Sequence, residues 1–180
     1  MRKKIVIRPL IREKFQEFLQ GQRILFFSAP CGFGKTTVAE ALLSGRTVLR
    51  RSGEDEDPIP EEGDWNILLV DDFQRMPEEN VLALCQYIRS TPDRRFVFLS
   101  RGVPPGCMMA FQYAGIMGVI SAQEMLFDEE DIQTLFRLYD VPVTRSEVSG
   151  ILKESIGYAL GVAITVRLMA SGRPFGPELV

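Results

Sequence analysis

The sequence predicts an α/β fold, in which helices cover both faces of a mainly parallel sheet as a three-layer sandwich and a small helical module follows. Short apolar runs typical of buried parallel strands alternate with helical patterns through the earlier part of the chain. A glycine-rich loop stands between the first of these runs and the helical pattern that follows it. Beyond about Phe127 the apolar spacing is entirely helical.

The strands and helices of the α/β part are predicted from apolar runs and their spacing. The clearest strand is Ile24–Ser28 (ILFFS), which is apolar almost throughout, as a central parallel strand should be. An acidic stretch at 52–64 with proline and glycine is typical of a loop. Further strands are expected at 47–51, 66–71, 96–100 and 119–120, and helices at 11–20, 35–44 and 77–89.

Helix-start signals divide the later part of the chain into three helices. Asp128 is a suitable N-cap for a helix over 129–139, and Thr144 with Glu147 forms a capping-box pattern for a helix that ends near 156. A third helix is expected at 162–170, before Gly172. We therefore expect an α/β domain at 1–121, a helical module at 122–172 and a linker at 173–180.

Composition and charge exclude several classes of function. The 180 residues carry a net charge of −3 without a basic stripe, so direct nucleic-acid binding by this segment is not expected. There is no histidine, the commonest general base and metal ligand. No apolar run has the length of a membrane span or a signal peptide, which predicts a soluble cytoplasmic protein with no membrane partner. The cysteines show neither disulfide nor metal spacing: Cys31, Cys85 and Cys107.

The glycine-rich loop (SAPCGFGKTT) has the pattern of a phosphate loop, which makes the predicted fold that of a P-loop NTPase. Gly32 and Gly34 let consecutive backbone N–H groups surround a phosphate, Lys35 reaches its oxygens, and the Thr36 hydroxyl ligates Mg²⁺. Ala29 replaces the first glycine of the pattern, which an alanine permits if its φ is negative. The alternative is a helix-capping turn that binds nothing. The expected nucleotide contacts are Pro30, Cys31, Gly32, Phe33, Gly34, Lys35, Thr36 and Thr37.

Polar residues end two of the predicted strands, at the sheet edge where ligands of open α/β folds bind. Asp71 and Asp72 follow an apolar strand, so Asp71 is expected to hold Mg²⁺ with Thr36, and Asp72 to orient or deprotonate the attacking water. Because aspartate is shorter than the glutamate of many ATPases, we expect poor hydrolysis. Arg101 follows another strand and could offset the charge of a γ-phosphate. The alternatives are a solvated carboxylate pair and an arginine that merely follows a strand.

The motifs that are absent favour adenine over guanine. The sequence has no Asn-Lys-x-Asp segment, and Asp71 to Gln74 (DDFQ) does not match the Asp-x-x-Gly of a GTPase switch. The expected ligand is therefore ATP, or ADP, with Mg²⁺. Tyr139 and Tyr158 are interpreted as packing residues.

Across residues 5–172 the chain resembles the ATPase module of STAND signal-transduction proteins, specifically MalT-like, LuxR-type transcriptional regulators. The matching segments, in order, are Arg8-Pro9-Leu10, FFSAPCGFGKTT, ILLVDDF, FVFLSR, LFDEEDIQTLF and Tyr158 to Ala163. That family commonly has serine or alanine at the position of Ala29. The order of the set gives the resemblance its specificity, because a phosphate loop alone is common to many NTPases.

The resemblance implies roles for residues at both ends of a nucleotide site. It implies that Ile7 and Arg8 lie near the adenine and that Gly161 to Ala163 close over the base, with Ala163 in place of the family's proline. At the phosphate end it implies roles for Lys35, Thr36, Asp71, Asp72 and the sensor Arg101. The acidic segment GEDEDP resembles the family's acidic turn without the helix that follows it, so the strand at 47–51 is expected to be displaced or antiparallel.

The resemblance further implies a slow ATPase that acts as a nucleotide switch in a transcriptional regulator, with C-terminal sensor and DNA-binding domains in the parent protein. Two alternatives stay open. One is a stand-alone ATPase or small-molecule kinase, although a kinase lid needs several arginines and few follow Arg101. The other is a module that holds ADP without turnover.

Overall fold

One parallel sheet forms the centre of the computed structural model, which describes residues 4–57, 59–60 and 63–176. Every strand pair in it is parallel, and the strand order is β2-β3-β4-β1-β5. This confirms the mainly parallel sheet that the apolar runs predict. The strands are β1 (Ile24–Ser28), β2 (Val48–Ser52), β3 (Ile67–Asp71), β4 (Arg95–Ser100) and β5 (Met117–Ser121).

Helices cover both faces of the sheet, which confirms the three-layer sandwich. Alternate strand residues point to opposite faces. Phe26 and Phe98 pack with α3 and α4 on one face, whereas Leu25 and Val97 pack with α1 and α2 on the other. The described helices are α1 (Pro9–Gln20), α2 (Lys35–Leu42), α3 (Glu78–Ser90), α4 (Met109–Tyr113), α5 (Ala122–Met125), α6 (Glu129–Leu138), α7 (Arg145–Ser155) and α8 (Ala159–Ala170).

The edge strand β2 runs parallel to β3, so the expectation of an antiparallel strand is wrong. Val48 pairs with Ile67 and Ser52 with Asp71, and the strand is only half-buried because it has a single neighbour. The connection at 53–66 contains no helix among its described residues. Pro58, Glu61 and Glu62, which belong to the predicted acidic loop, lie outside the described residues.

The helical module has its own core. Phe136 of α6, Ile151 of α7 and Val166 of α8 are fully buried together, and Val6 from the N-terminal segment joins them. The predicted caps are present, since Asp128 accepts a hydrogen bond from the Asp131 N–H and Thr144 with Glu147 forms a capping box. No helix in the described ranges combines the length and the apolar character needed to cross a bilayer.

Helix α8 begins three residues before the predicted start at 162. Ile156 and Gly157 adopt left-handed conformations that end α7, and the Val162 N–H already donates to the Tyr158 carbonyl. The sequence signal is weak because no side chain caps this start. The division at 1–121, 122–172 and 173–180 stays a proposal; Phe175 packs against the module core, and residues 177–180 lie outside the described residues.

Candidate nucleotide site

A cleft of about 470 Å³ lies at the carboxyl ends of β1 and β3, between the sheet and the helical module. The residues after β1 form one wall, and Asp71 at the end of β3 contributes to the same end of the cleft. The N-terminal segment and the helical module also line the cleft, through Val6, Phe127 and Ala163. This is the edge at which parallel α/β sheets bind ligands.

The loop after β1 has the backbone conformation of a phosphate loop. Gly32 and Gly34 have φ values of 80° and 83°, in the left-handed region where glycine carries no steric penalty. Ala29 stays outside the positive-φ region, and its N–H donates to the Ser100 carbonyl at 3.1 Å. Alanine is therefore compatible with this position, as the sequence argument required.

The Lys35 side chain folds back over the loop. Its ammonium donates to the carbonyls of Ala29 and Pro30, at 2.7 and 2.9 Å. Burial lowers the pKa of Lys35, and the nearby Asp71 carboxylate opposes that shift. The positive charge of Lys35 is thus bonded to neutral carbonyls, which phosphate oxygens can replace as hydrogen-bond acceptors.

Two oxygen-bearing side chains meet beside the loop. The Thr36 hydroxyl donates to Asp71 Oδ2 at 3.0 Å, and Asp71 Oδ1 accepts the Asp72 N–H at 2.8 Å. Hydroxyl and carboxylate oxygens are the ligand types that Mg²⁺ prefers. The residues present therefore fit the metal that the sequence argument places here.

Asp72 is engaged by its neighbours. It has a positive φ of 49°, and its carboxylate accepts hydrogen bonds from Gln74 Nε2 at 2.8 Å and Arg101 Nη2 at 3.3 Å. The Gln74 side chain also accepts the Arg101 N–H at 2.9 Å. The hydrogen bond from Gln74, with the charges of Arg101 and Arg75, holds the pKa of Asp72 below its usual value. Gln74 was missed at the sequence level because no motif marks it.

Arg8 joins the N-terminal segment to the helical module. Its guanidinium bonds Asp128 Oδ2 and Asp131 Oδ2, each at 2.8 Å, and the Glu124 carbonyl at 3.1 Å. Burial raises the pKa of Asp131 although Arg8 opposes the shift. Arg8 lines the cleft, but each of its three guanidinium nitrogens already contacts an oxygen of the module.

Most of the predicted contact residues line the cleft. Three do not contribute to its wall: Ile7, which packs in the sheet core, Pro30 and Gly161. The predicted residues that do line it are Arg8, Cys31, Gly32, Phe33, Gly34, Lys35, Thr36, Thr37, Asp71, Asp72, Arg101 and Ala163. Their roles toward a ligand stay predictions.

The helical segment beside the cleft lies earlier in the chain than the sequence argument placed it. Ala163 is inside α8, where a proline would break the helix, and its role toward a ligand stays a prediction. Ala159 is the first helical residue, where proline is accepted, and it lines the cleft. Gly157 to Ala159 therefore fits a Gly-x-Pro segment.

Both tyrosines interpreted as packing residues contact the site. Tyr139 lines the cleft. The Tyr158 hydroxyl donates to the Cys31 carbonyl at 2.9 Å, and its ring meets Phe33 edge-on. Tyr158 stands in the last segment of the family resemblance, but the sequence did not indicate this contact, because it joins segments that are far apart in the chain.

No protein-family model matches the sequence, and the comparison with curated protein sequences finds no match. Solved structures do match. The RuvB Holliday junction branch migration motor of Thermotoga maritima is 14% identical with a TM-score of 0.61, over 97% of this chain and 67% of that one. A Walker-type ATPase of Pyrococcus abyssi is 13% identical with a TM-score of 0.67, over 96% and 70%.

A third similar structure is a STAND protein with a tetratricopeptide repeat sensor from Pyrococcus horikoshii. It is 14% identical with a TM-score of 0.64, over 96% of this chain and 30% of that much longer one. Likeness at this level of identity shows the fold. The chain has the P-loop NTPase α/β fold that the loop and the strands predict.

Proposed function

We propose that this chain binds ATP with Mg²⁺ in the cleft and acts as a slowly hydrolysing nucleotide switch in a signal-responsive transcriptional regulator. The observation that carries the proposal is the phosphate loop with Lys35, beside the Thr36–Asp71 pair, in a cleft that the helical module completes. A structural turn that binds nothing would not require these groups to meet.

The phosphate end supplies positive charge and N–H donors. The left-handed glycines and the start of α2 direct backbone N–H groups and a helix dipole toward an anion. Lys35 would exchange its two carbonyl partners for phosphate oxygens. Thr36 and Asp71 would hold Mg²⁺, which neutralises charge on the phosphates when bound.

The other end of the cleft favours adenine. Its described lining is mostly apolar, with Val6, Phe127 and Ile164 among its members. The carboxylates in the described lining, Asp71 and Asp72, are both at the phosphate end. Among the described lining residues, no acidic group at that end would accept hydrogen bonds from the N–H groups of guanine, so ATP or ADP should bind more tightly than GTP.

The state of Asp72 supports slow turnover. A carboxylate that has a lowered pKa and already accepts hydrogen bonds from two donors is a weak general base. The same observation favours a second candidate, a module that holds ADP without turnover. A kinase is disfavoured because its lid needs several arginines at the nucleotide. Of the described arginines after Arg101, Arg167 lines the cleft, whereas Arg137 and Arg145 line a separate groove.

The switch role rests on contacts between the module and both sides of the site. Arg8 joins the N-terminal segment to α6, and α8 contacts the phosphate loop. A nucleotide between sheet and module would favour one relative orientation. The similar STAND protein has a sensor domain; we propose such a domain and a DNA-binding domain in a cytoplasmic parent protein, with no direct nucleic-acid contact by this segment.

The test is a calorimetric titration with ATP, ADP and GTP, with and without Mg²⁺, together with an assay of phosphate release. We expect ATP and ADP to bind, GTP to bind more weakly, and Lys35→Ala to lose about 100-fold in affinity as its charge-assisted hydrogen bonds are lost. Lys153→Ala, an exposed lysine on α7, is the control and should bind normally. Unchanged affinity in Lys35→Ala would overturn the proposal, and fast transfer to a small acceptor would favour a kinase.

A further inference from the structure

The start of α8 joins the helical module to the phosphate loop. The Tyr158 hydroxyl donates to the Cys31 carbonyl at 2.9 Å, and the Leu160 N–H donates to the Gly32 carbonyl at 3.1 Å. The Tyr158 ring lies edge-on to Phe33, with ring centroids 5.3 Å apart. We name these five residues the loop clasp.

Tyr158 also explains why one loop glycine has no room for a side chain. A Cβ atom on Gly32 would lie 1.8 Å from the Tyr158 hydroxyl oxygen, far inside any allowed contact. Gly34 has nearly the same backbone conformation, yet a Cβ there would meet nothing within 4 Å. The two glycines therefore differ in their neighbours and not in their backbone, and the neighbour that matters is Tyr158.

The Tyr158 hydroxyl donates to a backbone carbonyl of the loop, a group to which a bound phosphate cannot donate a hydrogen bond. In a phosphate loop the N–H groups converge on the anion, so the carbonyls point elsewhere and need other donors. Tyr158, the N-cap of α8, and Leu160 in its first turn supply two of those donors. Tyr158 is absent from the described wall of the cleft, so its effect on a ligand would pass through the loop.

We propose that Tyr158 is a positioning residue through which the helical module holds the phosphate loop in its binding conformation. Nucleotide binding at the loop is then coupled to docking of α8 against the same loop, and the coupling is reciprocal. The nucleotide part of this inference rests on the proposed function.

The first test is Tyr158→Phe, which keeps the ring and removes only the hydroxyl. We expect about five- to tenfold weaker binding of ADP and Mg-ATP in calorimetry. Nucleotide should slow hydrogen exchange of the α8 amides at 159–162 in the wild type and much less in the variant. The control Tyr113→Phe, 84% exposed, should match the wild type in both readouts. Unchanged affinity with unchanged protection would overturn the inference.

The second test needs no nucleotide. Gly32→Ala and Gly34→Ala are each made in the wild type and in Tyr158→Leu, and thermal unfolding is measured. Gly32→Ala should lower Tm in both backgrounds. We expect the drop to be smaller in Tyr158→Leu than in the wild type, by about 3 °C or more, because the collision between the new Cβ and the Tyr158 hydroxyl is gone. The cost of Gly34→Ala should be the same in both. Equal costs of Gly32→Ala would contradict the clasp, whereas a wild type that binds no nucleotide would contradict only the proposed function.

Discussion

At the phosphate end of the cleft, the loop after β1 and the residues that follow β3 and β4 are built differently. At the loop, the carbonyls of Cys31 and Gly32 accept hydrogen bonds from Tyr158 and Leu160, and the Lys35 ammonium donates to neutral carbonyls that a ligand can replace. At the strand ends, Asp72 and Arg101 are bonded to each other directly and through Gln74. The loop is organised to receive an anion, while the acidic end is occupied by its own interactions.

The difference teaches that binding and turnover are separate properties of this cleft. The loop depends on backbone groups whose positions the fold fixes, so an anion site costs little reorganisation. Catalysis at the acidic end would first require Asp72 to leave two donors. The following predictions test that contrast, from the largest expected effect to the smallest.

The largest effect should come from Asp71→Asn. It removes a charge beside Thr36, so we expect Mg-ATP binding to weaken by about 10- to 100-fold, while ATP without Mg²⁺ binds nearly as before. Titration in both conditions measures the two affinities. Asp64→Asn, an exposed acid before the amino end of β3, is the matched control. Equal losses with and without metal would remove Asp71 from the metal site.

The contact between the N-terminal segment and the module should have the next largest effect. Arg8→Ala leaves the Asp131 carboxylate, whose side chain is only 9% exposed, without its cation. We expect the free energy of unfolding to fall by about 2 kcal/mol at pH 7. Urea unfolding measures it, and Lys4→Ala, at the exposed Lys4–Asp140 pair, should cost less than half as much.

The same variant has a pH dependence with a definite sign. The pKa of Asp131 is already raised by burial, and loss of Arg8 raises it further. A carboxylate whose pKa is higher in the folded than in the unfolded state destabilises the fold above that pKa, and the penalty fades as the pH falls and it takes a proton. The difference between Arg8→Ala and wild type should therefore be smaller at pH 4 than at pH 7. A difference that grows toward acid would contradict this account.

A smaller effect is expected from Gln74→Ala at the acidic end. Loss of the main hydrogen bond to Asp72 should move the pKa of that carboxyl upward, toward its usual value. In the wild type the pKa of Asp72 is lower in the folded than in the unfolded state. The small stabilisation that results is present at neutral pH and is lost as the pH falls. NMR titration of the Asp72 carboxyl carbon measures the shift. An unmoved midpoint would mean that Gln74 does not restrain Asp72.

The smallest effect is a difference in thiol reactivity. Cys31 is exposed in the phosphate loop, whereas burial and the neighbouring Cys107 raise the pKa of Cys85 to about 12. Because the thiolate is the reactive form, alkylation at pH 8 should modify Cys31 well before Cys85. Bound nucleotide should slow the reaction of Cys31 several-fold. Mass spectrometry of the labelled peptides checks both, and protection of Cys85 alone would place the ligand elsewhere.

The fold could be predicted from the sequence where the signals are local. Apolar runs such as that of β1 and the caps at Asp128 and Thr144 depend on neighbouring residues, and the structure confirms them. The direction of β2 could not be predicted, because its half-exposed sequence carries no strong pattern and pairing is a long-range choice. The start of α8 was misplaced for lack of a capping side chain.

The candidate site divides in the same way. The phosphate loop and Asp71 stand in motifs whose spacing is local, so the sequence predicted their meeting. Gln74 and Tyr158 act through contacts with Arg101 and Cys31 that exist only once distant segments are packed together. Periodicity and spacing carry no information about such pairs.

The central claim is tested most directly by measuring binding and turnover on one sample of the protein. Mg-ATP is bound in a single-turnover experiment, and nucleotide release and phosphate formation are followed together, with Lys35→Ala as the reference. We expect saturable binding that Lys35→Ala weakens about 100-fold, with turnover far below the usual enzymatic range of about 1–10³ s⁻¹. Absence of binding, or turnover within that range, would contradict the account.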